Sequence, residues 1–167
     1  MTNTPLQKYL LVTLRILIGW QFLYEGLVKL VNPNWSSASY LLDSKGFMKD
    51  MFFGLANNPD LLKVIDFLNV WGLILIGLAL ILGVFSRIAM ISGMVMLAIY
   101  YLSHPPFGAL KYAAPIEGSY LFVNKTLIEL IALGVLFVFP TSREFGLDRF
   151  IFGPVDKPTL TEEKERA

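Results

Sequence analysis

Two pairs of opposite charge stand one helical turn apart inside apolar runs: Glu25 with Lys29, and Lys125 with Glu129. Asp66, Asn69, His104 and Asn124 place further polar groups in or beside apolar runs. Such groups face a protein interior, a wet cavity or lipid headgroups, because a charge at mid-membrane costs roughly 3 kcal/mol or more. Carboxylates, amines and an imidazole exchange protons and donate hydrogen bonds. Beside Phe22, Tyr24, Trp71 and Phe122 they suit a shallow pocket for an amphiphilic ring. A quinone head fits that description, since its oxygens need donors and its reduction needs protons. On this reading Glu25, Lys29, Lys125 and Glu129 are the catalytic set. Phe22, Gly26, Asp66, Asn69, Trp71, His104 and Asn124 bind the cofactor, with Asp66 and His104 as proton donors. The same residue types serve a proton relay or an ion path. They also serve as ion pairs that fix helix rotation, each worth only about 1 kcal/mol in a membrane.

Several chemistries are excluded or disfavoured. The chain has no cysteine, which removes disulfides, thiol redox chemistry, iron–sulfur clusters and thiolate metal sites. One histidine among scattered carboxylates does not make a transition-metal site, and no histidine pair is present to hold a haem. A net charge of +1 lacks the basic stripe of a nucleic-acid binder.

The elements that must position these groups are transmembrane helices. The 167 residues are 55% hydrophobic and only 16% charged, against roughly a quarter charged in soluble domains. The mean hydropathy is +0.60. Tyr9 to Val31 is long enough to cross a bilayer core of roughly 30 Å. With about 100° per residue, Arg15, Gly19, Phe22, Gly26 and Lys29 share one face of this helix. Arg15 interrupts the apolar run and no small-residue cleavage site follows, so the segment reads as a retained helix and not a signal peptide.

The other spans follow in order. Asn58, Pro59 and Asp60 form a helix start, and Gly83 a stop. Gly72 and Gly77 allow close helix approach. Ser86 is placed to cap the next helix. The spans are expected at about 9–31, 61–83, 87–102 and 120–139. Residues 36–56 and the FGLDRFIF stretch after Pro140 read as short amphipathic helices at the interface. The fold class is therefore an all-α integral membrane four-helix bundle, one domain over residues 1–153. A loop is expected over 107–120 and a polar, disordered tail over 154–167.

Four crossings put both termini on one side. Lys8, Arg87, Arg143, Arg149, Lys157, Lys164 and Arg166 lie there, against Lys45, Lys49, Lys63 and Lys111 opposite. The bias puts the termini in the cytoplasm. Glu25, Lys29, Asp66, Asn69, His104, Asn124, Lys125 and Glu129 then form one layer near the outer surface. The inner half is hydrocarbon apart from Arg15, which counts against a channel or pump. Arg15 and Arg87 are expected to meet lipid headgroups.

The stretch RILIGWQFLYEGLVKLVNP resembles the first helix of the DoxX/DoxD family, with Arg15, Gly19, Phe22, Gly26, Lys29 and Pro33 in the family's order. WGLILIGLALILGVFSRIA resembles its second helix and turn, and NKTLIELIALGVL, with Lys125 and Glu129, its fourth. The likeness covers most of residues 8–150 and is nearest the DoxD-like branch. That resemblance implies a four-helix protein of a bacterial or archaeal inner membrane. It further implies the membrane subunit of a thiosulfate:quinone oxidoreductase, with quinone as cofactor and a periplasmic or membrane redox partner. The archaeal enzyme of this branch has a second subunit, which this chain lacks. Alternative roles are a non-catalytic anchor or assembly subunit docking a partner through residues 32–60 and 103–120, or a small transporter or lipid-handling protein. An oligomer is compatible with each.

Overall fold

The computed structural model describes residues 4–106, 112 and 121–153, and every regular element among them is a helix. In order these are α1 (Pro5–Val31), α2 (Ala38–Leu42), α3 (Lys49–Ala56), α4 (Pro59–Leu82), α5 (Ser86–Ser103), α6 (Lys125–Val138), α7 (Ser142–Phe145) and α8 (Asp148–Phe152). Three of them, α1, α4 and α5, are long and apolar enough to cross a membrane. The stretch expected as a fourth span holds α6, whose 14 residues cover only about 21 Å at about 1.5 Å per residue, and α6 is not among the helices long and apolar enough to cross. Its expected beginning at Tyr120, most of the 107–120 loop and the 154–167 tail lie outside the described residues.

Local chemistry sets the helix ends. Thr4 and Gln7 form a reciprocal capping box, with Pro5 in the first turn, so α1 starts before its apolar run does. The Asn58 side chain accepts from the N–H groups of Asp60 and Leu61 at 3.1 and 3.2 Å, as the Asn-Pro-Asp pattern predicts. Gly83 closes α4 with φ +67°, the left-handed stop.

The expected polar face of α1 is the face that packs. Arg15, Ile18, Gly19, Phe22 and Gly26 are its buried residues. They lie along α4, where a Cβ on Gly77 would stand 2.5 Å from the Leu23 backbone nitrogen. Only glycine allows so close an approach of two helices. Phe22, Leu73, Leu80, Met90, Leu97, Leu133 and Leu136 fill the core between α1, α4, α5 and α6.

Two corners correct the sequence reading. Arg15 does not reach headgroups: it is 1% exposed. Its guanidinium donates to Thr141 Oγ1 at 3.1 Å and to the Phe145 carbonyl at 2.7 Å. Arg87 remains exposed, with its guanidinium 6.0 Å from the Phe137 ring. The cap of α5 is not made by Ser86 as acceptor. The Asp148 carboxylate takes the N–H groups of Phe85 and Ser86 at 2.7 and 3.2 Å. Leu147 and Asp148 donate their own N–H groups to Leu82 and Gly83 carbonyls. Lys8 pairs with Glu144 at 2.6 Å. The segment after α6 is thus bound across the starts of α1 and α5.

At the opposite end α2 and α3 fold over the helix ends. Asp66 on α4 accepts from both the N–H and the hydroxyl of Ser37. Ser44 Oγ and Lys45 N donate to the Ser103 carbonyl at 2.9 and 3.1 Å.

Candidate functional site

Between α1, α4, α5 and α6, below the α2–α3 cover, two cavities adjoin. The first, about 80 Å³, is lined by Gln21, Phe22, Glu25, Leu73, Leu97, Tyr100, Lys125, Thr126 and Glu129. The second, about 220 Å³, is lined by Glu25, Lys29, Trp35, Ser36, Ser37, Ser39, Tyr40, Asn69 and Tyr100. Glu25 and Tyr100 form the wall between them and face both.

The donor network is compact. Lys29 Nζ donates to Asn69 Oδ1 at 2.9 Å, and Asn69 Nδ2 donates to the Tyr100 hydroxyl oxygen at 2.6 Å. The ammonium also lies 5.1 Å from the Trp35 ring and 5.7 Å from the Tyr100 ring, where the ring faces attract it. Tyr100 accepts, so its own proton points elsewhere; among the described residues none accepts it. Glu25 has no hydrogen bond and no ion pair within 4.0 Å among the described residues. The expected Glu25–Lys29 pair is therefore not closed. On the α6 side Gln21 Nε2 donates to Glu129 Oε1 at 2.6 Å, and Lys125 Nζ stands 4.0 Å from the same oxygen.

The structure thus brings Phe22, Glu25, Lys29, Asn69, Lys125 and Glu129 to the cavities. Four other expected site residues are engaged differently. Gly26 sits in the α1–α4 seam, where a Cβ would meet Ile74 Cγ1 at 2.7 Å. Asp66 holds Ser37. Asn124 caps α6, its Oδ1 accepting from Leu127 N at 2.9 Å. Trp71 points outward beside Phe67, 6.3 Å between ring centres; two residues from Asn69 means about 200° around the helix. Tyr24 and Phe122 are likewise exposed and line neither cavity.

His104 belongs to a neighbouring cluster. Its ring stacks on Tyr40 at 3.9 Å and faces Tyr112 at 4.8 Å. Its Nε2 lies 4.0 Å from Asp43 Oδ2, and its Nδ1 3.1 Å from Ser103 Oγ. Burial holds its pKa below the ordinary value; Asp43 opposes that shift and Lys45 reinforces it. Tyr40, one wall of the larger cavity, separates this imidazole from Glu25.

Sequence reasoning missed Gln21, Trp35, Tyr40, Tyr100 and Thr126. Two of them carried a signal. Gln21 precedes Glu25 by one turn, and Tyr100 continues the buried Gly93–Leu97 face of α5. Among the described residues no group of three or more histidines and carboxylates could hold a metal ion.

No match exists for this chain among curated proteins or solved structures. A family profile does match: that of DoxX, over residues 10–105. This region contains α1 from residue 10 onward and all of α2 to α5, including the packed Arg15–Gly26 face, Lys29, Asn69 and Tyr100. The match covers more than half the sequence, and the chain is a multi-pass membrane protein that belongs to the DoxX family.

Proposed function

We propose that the chain is the quinone-interacting membrane subunit of an oxidoreductase, with the head group received by the paired cavities. One observation carries the reading: an unpaired carboxylate, Glu25, and an undonated hydroxyl proton, Tyr100, face the same two cavities. Groups left unsatisfied at membrane depth call for a polar ligand or water. A quinone consumes two electrons and two protons on reduction, the electrons coming from a partner protein.

The chain's own residues supply the rest. Tyr100 and the Lys29 ammonium donate hydrogen bonds toward a carbonyl oxygen in the larger cavity. Asn69 fixes both, accepting from Lys29 and donating to Tyr100. Glu25 holds or releases a proton at its carboxylate. Gln21 orients Glu129, beside Lys125, as the second proton-exchanging group. Phe22, Leu73 and Leu97 keep the smaller cavity's floor apolar. The thiosulfate specificity of the DoxD-like branch and a periplasmic donor partner belong to the same proposal. So do a fourth crossing by α6 and its flanks, an inner-membrane location and cytoplasmic termini.

The test is a quinone titration of the purified chain in nanodiscs. Wild type should bind saturably. Lys29→Met should weaken binding about tenfold or more, the loss of one charge-assisted hydrogen bond. Glu25→Gln removes no hydrogen bond and should change the thermal midpoint little, while slowing quinol formation because Glu129 is left as the remaining proton-exchanging group. Lys125→Met should weaken binding less than Lys29→Met does. Absence of saturable binding in wild type would overturn the reading.

A further inference from the structure

An apolar cleft of about 310 Å³ opens between α3, α4 and α5. Met48, Met51 and Leu55 roof it, Leu68 forms the α4 wall, and Met96 the α5 wall. Asn69 and Tyr100 line this cleft and also the larger polar cavity. The two residues are hydrogen-bonded to each other at 2.6 Å. They are the seam at which a polar chamber becomes an apolar groove.

We propose that this cleft seats the alkyl or isoprenoid tail of the ligand whose head group lies beyond the Asn69–Tyr100 seam; the inference rests on the quinone reading above. In a bilayer an apolar groove gains nothing from burial alone, because lipid chains are equally apolar. Selective filling therefore needs a tether, and a head group held at Lys29 and Tyr100 supplies one by keeping its own tail at high effective concentration. Three methionines in the lining suit a flexible, branched chain, since a thioether side chain adapts to irregular shapes. The roof is held in place beforehand. Ser37 is tied to Asp66, Ser44 and Lys45 are tied to Ser103, and Phe52 is 2% exposed. A groove formed in advance avoids the ordering cost of closing over a ligand.

The experiment uses the full chain in phosphatidylcholine nanodiscs and two benzoquinones with the same ring. One carries a decyl tail ending in a diazirine, and the other a methyl group in its place. Affinities are compared as mole fractions in the bilayer, which removes the difference in partitioning. The decyl probe should bind about tenfold more tightly and, on illumination, label Met51, Leu55, Leu68 or Met96. Leu55→Trp, which fills the cleft from the roof, should remove that advantage while changing the methyl probe by no more than about twofold. Leu68→Trp fills it from the opposite wall and gives an independent test should the first variant misfold, which circular dichroism reads. Equal affinities for the two probes, or label spread over outward residues of α1 and α6, would mean that ordinary acyl chains fill the cleft. The tail assignment then falls while the head-group site stands. Failure of both probes to saturate removes the quinone reading and the tail site with it.

Discussion

Arg15 is the residue on which the α7–α8 end of the molecule depends. It was legible as an intramembrane charge on the packed face of α1, but its partners were not, because Thr141 and Phe145 lie 126 and 130 residues away in sequence. No periodicity connects positions so distant. Arg15→Met should destabilise the protein by about 2–4 kcal/mol, leaving a buried hydroxyl and a carbonyl without their donor. Denaturant titration in mild detergent measures this, and protease should cut earlier in the α7–α8 segment. His104 gives the pH-dependent counterpart. Its folded pKa lies below the ordinary value, so the unfolded chain binds the proton more readily. Its contribution to stability is complete above about pH 6.5 and falls as the pH drops through that value. A fall in thermal midpoint between about pH 7 and pH 5 should shrink in His104→Gln.

At the scale of elements, helices announced by periodicity and caps were readable, and those held by distant contacts were not. The Asn58-Pro59-Asp60 start and the Gly83 stop are local chemistry and stand in the structure as written in the sequence. FGLDRFIF reads as an interfacial helix by its amphipathic pattern, yet its Asp148 leaves solvent to cap α5. An acid that caps a helix across 62 residues has the same local pattern as one facing water. Asp148→Ala should therefore cost about 1–2 kcal/mol, the value of a lost N-cap, and hydrogen exchange should speed at Phe85 and Ser86 before the rest of α5. The candidate site divides similarly. Glu25, Lys29 and Asn69 stand out as polar letters in apolar runs. Tyr100 reads as a membrane-belt aromatic until the helix crossing turns its hydroxyl toward Asn69.

For the whole molecule, the distribution of polarity is the functional statement. The cavities, the proton-bearing groups and the α2–α3 cover all lie at one end, and the Arg15–Asp148 corner closes the other. The chain's lack of cysteine makes its orientation directly measurable, since each introduced thiol is a single reporter. In intact cells an impermeant maleimide should label Asn57→Cys, and should reach Leu6→Cys and Arg149→Cys only after permeabilisation. The reverse pattern would invert the orientation, and opposite behaviour of Leu6→Cys and Arg149→Cys would rule out an even number of crossings.

The distance between Arg15 and Thr141 is also a matter of time. A ribosome adds roughly 5–20 residues per second, so the 126 residues that separate them take about 6–25 s to appear. Through that interval the first helix is already inserting with a guanidinium that has not met its acceptors. A chain cut short before Thr141 lacks both acceptors of the Arg15 guanidinium.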